Sequence, residues 1–209
     1  MSRHSENMKR TRQAVKMGLG FEHRETRRAP KGTFILEMKD GQTGDVLAYF
    51  EKDNIITRDA GLAAAAFFKG TLSGGLKMLA IGTGATGNLL SPDAPQDTQR
   101  KLNNEIARKA FSSTTFRTSE GVAVSYTTNI VDFTTTYGEA EAVGALNEMG
   151  LLVPFSLNPA TRNPINNGPT NYDASIDTDG LDLMVNYLTF SVVSKPATAV
   201  LAITWRLTF

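Results

Sequence analysis

Residues 79–88 read LAIGTGATGN, with Gly82, Gly84 and Gly87 in a G-x-G-x-x-G array directly behind an apolar run. In an α/β nucleotide-binding fold, that spelling marks a turn that opens a helix and leaves pyrophosphate at the helix N-terminus. The following residues, NLLSPDAPQDTQR, place Pro92 and Pro95 where the helix would have to start, and proline removes the N–H groups that a helix interior needs. No Gly-Lys-Ser/Thr follows, so the phosphate loop of the Walker type is absent as well. Beyond it come further strand-like segments with no strand–helix alternation. The glycines are therefore expected to form a turn leaving a strand, and the chain to be mainly β.

The strand-like character is clearest in ATAVLAITWRLTF, residues 197–209. Leu201, Ile203, Trp205, Leu207 and Phe209 alternate with Ala202, Thr204, Arg206 and Thr208, the period of a strand with one buried face. Residues 33–57, TFILEMKDGQTGDVLAYFEKDNIIT, read as a hairpin around DGQTGD. The one convincing helix is TRDAGLAAAAFFKG: Thr57 or Asp59 is placed to cap it, Lys69 suits its C-terminal dipole, and Gly70 can take the left-handed cap. Leu62, Ala66 and Phe67 are its expected buried stripe. LKMLAIGTG, IARKAFSSTTFRT and GVAVSYTTNIVDFTTTYG read as strands, rich in Thr, Val, Ile, Tyr and Phe. EAVGALNEMGLLVP reads as a strand with a bend, and LDLMVNYLTFSVVSK as another. The predicted fold is a mainly β, antiparallel β-sandwich with one short helix and an extended basic N-terminal arm. Its parts are an arm at 1–31 and a sandwich domain at 32–209, with a hairpin at 33–56, a helix at 58–69 and a long loop at 154–180.

Charge separates the arm from the body. Residues 1–31 hold nine Lys/Arg against three Asp/Glu, an excess of +6; the whole chain is formally +1, so the remainder carries −5. Arg10, Arg12, Arg24, Arg27 and Arg28 cluster there, and are the candidate interface residues. The apolar content of the arm is too small for a core of its own, so it reads either as a tail or as a segment ordering on a neighbour. Phosphate contact is open to the same arginines, but Phe21 is the only aromatic among them and base stacking is not indicated. An acidic protein surface suits these charges better than nucleic acid.

The residue inventory points away from catalysis. There is no cysteine, and the two histidines, His4 and His23, both lie in the arm, so a Ser-His-Asp triad within the sandwich is not expected. Glu139, Glu141 and Glu148 are the carboxylates that a glycosidase-like pair would draw on; solvated or structurally paired side chains are the simpler expectation. Asp177, Asp179 and Asp182 sit around Gly180 as in part of a calcium loop, without the bidentate glutamate of an EF-hand. No catalytic residue, cofactor or metal site is expected. Nor does any run reach the length of a membrane helix, or the opening stretch show a signal peptide's apolar middle.

Five stretches occur in a characteristic order: EKDNIITRDAGLAAAAFF, LKMLAIGTGATGN, NEIARKAFSS, NIVDFTTTYGEAEAVGALNEMGL and VVSKPATAVLAITWRLTF. Together they resemble a group of tailed-bacteriophage virion structural proteins, across roughly residues 53–209. The resemblance implies a β-rich, non-enzymatic, cofactor-free component of the neck, collar or tail, located in the virion and assembled in the host cytoplasm. Its partners would be copies of itself in a symmetric ring and other virion proteins, with no membrane. A capsid decoration protein and a host-glycan-binding tail-fibre module, using loop 154–180 and Tyr172, remain open alternatives. The basic arm has no counterpart in that pattern.

Overall fold

The computed structural model describes residues 31–72, 74–153 and 182–209. The structure is mainly β, with 56% of the described residues in strands and 8% in one helix. The elements are β1 (Lys31–Asp40), β2 (Val46–Ile56), α1 (Arg58–Lys69), β3 (Met78–Gly82), β4 (Gly87–Asn88), β5 (Ser91–Pro92) and β6 (Glu105–Ala110). They continue with β7 (Ser113–Arg117), β8 (Ala123–Val124), β9 (Ile130–Tyr137), β10 (Gly144–Val153), β11 (Leu183–Lys195) and β12 (Ala199–Thr208).

Ten strands hydrogen-bond in the order β6-β3-β10-β11-β2-β1-β12-β9-β7-β8, all the pairings being antiparallel; β4 and β5 form a separate small ladder. β2 joins the two halves. Along most of its length it pairs with β1, and at its end Ile55 and Ile56 pair with Tyr187 and Asn186 of β11. The sheet thus folds into two layers, and side chains from both close one core. Phe34 of β1 stacks on Phe190 of β11 with ring centroids 6.1 Å apart, and the Tyr137 hydroxyl of β9 donates to the Leu79 carbonyl of β3 at 2.8 Å.

β12 keeps its expected alternation: Leu201, Ile203, Trp205 and Leu207 are buried and the residues between them half-exposed. The 33–56 hairpin forms around a turn in which the Asp40 carboxylate accepts the Gln42 and Thr43 amides at 2.9 and 2.8 Å. The strand expected in residues 141–154 forms at Gly144–Val153, with two register shifts in its ladder with β11.

Some local readings need correction. The helix spans 58–69 and ends at Gly70 with φ 77°, but it buries Asp59 and Ala63 rather than Leu62 and Phe67, which are 54% and 58% exposed. The helix packs on β11 through its small residues, Ala60, Ala63 and Ala66, with the large ones turned outward. Thr57 stands at the N-cap position without capping the helix; its hydroxyl donates instead to the Met184 carbonyl of β11. Residues 106–118, read as one strand, divide at Phe111 and Ser112. β6 pairs with β3 in one layer and β7 with β9 in the other, so this segment carries the chain across the sandwich. Residues 121–138, also read as one strand, divide into β8 and β9.

Candidate functional site

The glycine turn holds an anion, and the anion belongs to the protein. Glu148 lies on β10, opposite Gly82 of β3, and is fully buried. Its Oε1 accepts the amides of Gly84 at 2.9 Å and Asn104 at 2.8 Å; its Oε2 accepts the Asn103 amide at 3.0 Å and the Tyr187 hydroxyl at 2.9 Å. Next to it Asn147 Oδ1 accepts the Ala85 amide at 3.0 Å. Four charge-assisted bonds satisfy the carboxylate within a buried setting. They clamp two covering segments, 83–86 and 103–104, onto the layer. Tyr187 responds accordingly: burial first, then the neighbouring Glu148 carboxylate, push its hydroxyl well above the usual tyrosine range.

This arrangement gives the glycines their physical reason. A Cβ on Gly84 would stand 2.4 Å from the Asn104 amide nitrogen, and one on Gly82 2.4 Å from the Asn104 carbonyl oxygen. Gly87 has φ +90°, in the left-handed region that side chains rarely adopt. The chain then enters the β4–β5 ladder instead of a helix.

The remaining candidate carboxylates have separate partners. Glu141 accepts the Gly138 amide and pairs with Lys109. Asp182 pairs with Arg108 at 2.8 Å, and the same guanidinium meets Glu105. Asp132 is held by both Arg117 and Arg206, at 2.9 and 2.7 Å. Lys195 is buried, donating to the Gly138 and Ala199 carbonyls; burial lowers its pKa, with Glu141 and Glu139 opposing that shift. Asp177, Asp179, Tyr172, both histidines and the arm arginines Arg10, Arg12, Arg24, Arg27 and Arg28 lie outside the described residues. Among the described residues no group of three or more His, Cys, Asp or Glu side chains is placed to hold a metal ion, and no helix is long and apolar enough to cross a membrane.

Among the described residues, two recesses stand out. The first, of about 420 Å³, is polar and lies beside the glycine turn between Thr86, Asp93, Gln96, Gln99, Asn103 and Thr189. The second, of about 840 Å³, is an apolar groove running along α1, with Ile56, Ala60, Phe67, Phe68, Leu76 and Phe209 among its walls. Phe68 is 86% exposed and Phe209 64%. The alternation in β12 placed Phe209 with the inward-facing residues of that strand, yet it stands past the last pair of the ladder and lines this groove. The sequence reading did not identify the groove; its signal was the adjacent pair Phe67-Phe68, which one helical face cannot bury together.

No protein-family model matches the chain, and neither a curated protein nor a solved structure does.

Proposed function

We propose that this chain is a non-enzymatic structural component of a tailed-phage virion, of the neck, collar or tail type, assembling into a symmetric ring through contacts between its copies. The observation that carries the assembly reading is the apolar surface along α1, where Leu62, Phe67, Phe68 and Phe209 meet solvent. Exposed apolar surface of this kind marks a place where another surface binds. The motif order described above supports the phage assignment. The charge division supports a head-to-tail contact, because a +6 arm and a −5 body offer each copy complementary surfaces, and head-to-tail contacts close into rings when the rotation permits.

Light scattering on the full chain and on a chain beginning at Lys31 tests this reading. The full chain is expected to form a defined oligomer and the shortened one to fall toward monomer. The charged part of the contact should weaken near 1 M salt, where the screening length drops to about 3 Å. Monomers throughout, at high protein concentration, overturn it.

A further inference from the structure

The groove along α1 opens at the end of the sandwich where the N-terminal arm joins the body. Lys31, the first residue of β1, pairs with Thr208, and Gly32 pairs with Asn54. Leu207 and Phe209, on either side of Thr208, and Ile56, two residues beyond Asn54, line the groove. The thirty residues that precede Lys31 therefore begin at its rim.

Within the arm, residues 15–21 read VKMGLGF. Val15, Met17, Leu19 and Phe21 recur at every second position, with Lys16, Gly18 and Gly20 between them. That period puts four apolar side chains on one side of an extended segment, whereas helical spacing would divide them between two faces. The residues around this stretch are basic and polar, so its apolar side is the only part of the arm that matches an apolar wall. Residues 154–181 also leave the body near the groove, at Val153, but prolines 154, 159, 164 and 169 interrupt their apolar residues.

We propose that the groove along α1 seats residues 15–21 of the arm of a second copy of this chain. A neighbouring copy is favoured as the source because the ring reading already carries the arm of one copy onto the next, with a +6 arm facing a −5 body. The inference rests on the ring reading for the copy that supplies the arm, and on the groove's chemistry for what it binds.

The experiment uses a chain beginning at Lys31, a synthetic peptide of residues 10–28, and the full chain. Removing the arm should raise the fluorescence of an apolar dye, and adding the peptide should reverse the rise. Binding measured by anisotropy should weaken about tenfold or more when Leu19 of the peptide is replaced by Ser, and equally for Phe67→Ser in the body, since each removes one buried apolar side chain. Phe67 is largely exposed, so its replacement leaves the fold intact. A peptide that fails to bind overturns the proposal, and the ring reading survives if the full chain still assembles. A peptide that binds while the full chain stays monomeric overturns the neighbouring source and the ring together. A shortened chain with no dye response, gaining one only on Phe155→Ser, assigns the groove to residues 154–181 and also overturns the proposal.

Discussion

The two layers of the sandwich solve the problem of burial differently. In the layer of β1, β12 and β9, one face meets the core and the other meets water; β12 alternates buried and half-exposed residues throughout, and β1 does the same along most of its length. In the layer of β3, β10 and β11, both faces are covered. All five residues of β3 are buried, as are the last eight of β10 and the first eight of β11. On the outer side of that layer Met78, Ala80, Leu152, Met184 and Tyr187 pack with Leu102 and Ile55 as a second small core. A strand with one wet face shows the period of two, and a strand covered on both faces reads as a continuous apolar run. The covering segment then brings its own polar backbone into a dry place, where every N–H needs an acceptor. Glu148 supplies it for three of them.

The contrast is most severely tested by Ala80→Lys, on the outer face of the covered layer. An unpaired charge would be forced into the second core, so a loss of more than about 4 kcal/mol is expected, or no folding at all. A soluble variant with wild-type melting would show that the outer face is open. Trp205, in the core shared by both layers, comes next. It is fully buried, packs on Phe34 with ring centroids 5.7 Å apart, and its indole N–H has no hydrogen-bond partner among the described residues. Trp205→Ala should cost about 3–5 kcal/mol in chemical denaturation. Trp205→Phe should cost much less, because no hydrogen bond is lost.

Glu148→Gln sharpens the account of the clamp. The amide keeps the size of the carboxylate but turns an acceptor into a donor facing backbone N–H groups, a change expected to cost about 2–3 kcal/mol. Hydrogen exchange should then quicken at Gly84, Asn103 and Asn104, while β12 stays protected until global unfolding.

A smaller effect concerns alkaline pH. Tyr187 has its pKa raised in the folded state, by burial and then by Glu148. A raised folded pKa contributes stability that is complete below the unfolded tyrosine value, about 10, and is lost as pH rises beyond it. Denaturation midpoints should therefore fall above pH 10, and less steeply in Tyr187→Phe. The least effect belongs to the wet face. Ala202 is half-exposed on β12 and pairs across the ladder with Glu37. Ala202→Lys should change stability by no more than about 0.5 kcal/mol, and may be compared directly with Ala80→Lys as the same substitution on opposite layers.

That difference also explains what the sequence made legible. β12, the hairpin and the Gly70 cap are each encoded by neighbours along the chain: a period of two, a turn between apolar runs, a glycine after a lysine. The helix's buried face was not encoded that way. Small residues face the sheet because of what α1 lies against, and apolarity alone pointed to Leu62 and Phe67. The division at Phe111 and Ser112 depends on which layer each half joins, which no local pattern expresses. At the glycine turn the sequence excluded a helix but could not name the acceptor. The signal lay in Asn147-Glu148, two polar residues inside the apolar run ALNEMGLLV: on a doubly covered strand such a pair must have partners, but the double cover itself depends on tertiary structure. The candidate interface arginines of the arm and, of the calcium-like residues, Asp177 and Asp179 fall outside the described residues, while Asp182 is paired with Arg108.

The strand order has a consequence for how the protein is made. β12 lies between β1 and β9 and is the last of the described strands in sequence order. During synthesis β1 and β2 are complete while most of the residues up to Ala199 have yet to be added, an interval on the order of ten seconds at ribosomal rates. Through that time the inner side of β1, with Phe34, Leu36 and Met38, lacks the neighbour it pairs with from Lys31 to Asp40. The ladder that closes the sandwich joins segments more than a hundred residues apart, the kind of distant pairing that makes β proteins slow to fold. The nascent chain thus presents an unpaired apolar strand edge until β12 emerges, the kind of edge on which another chain can pair.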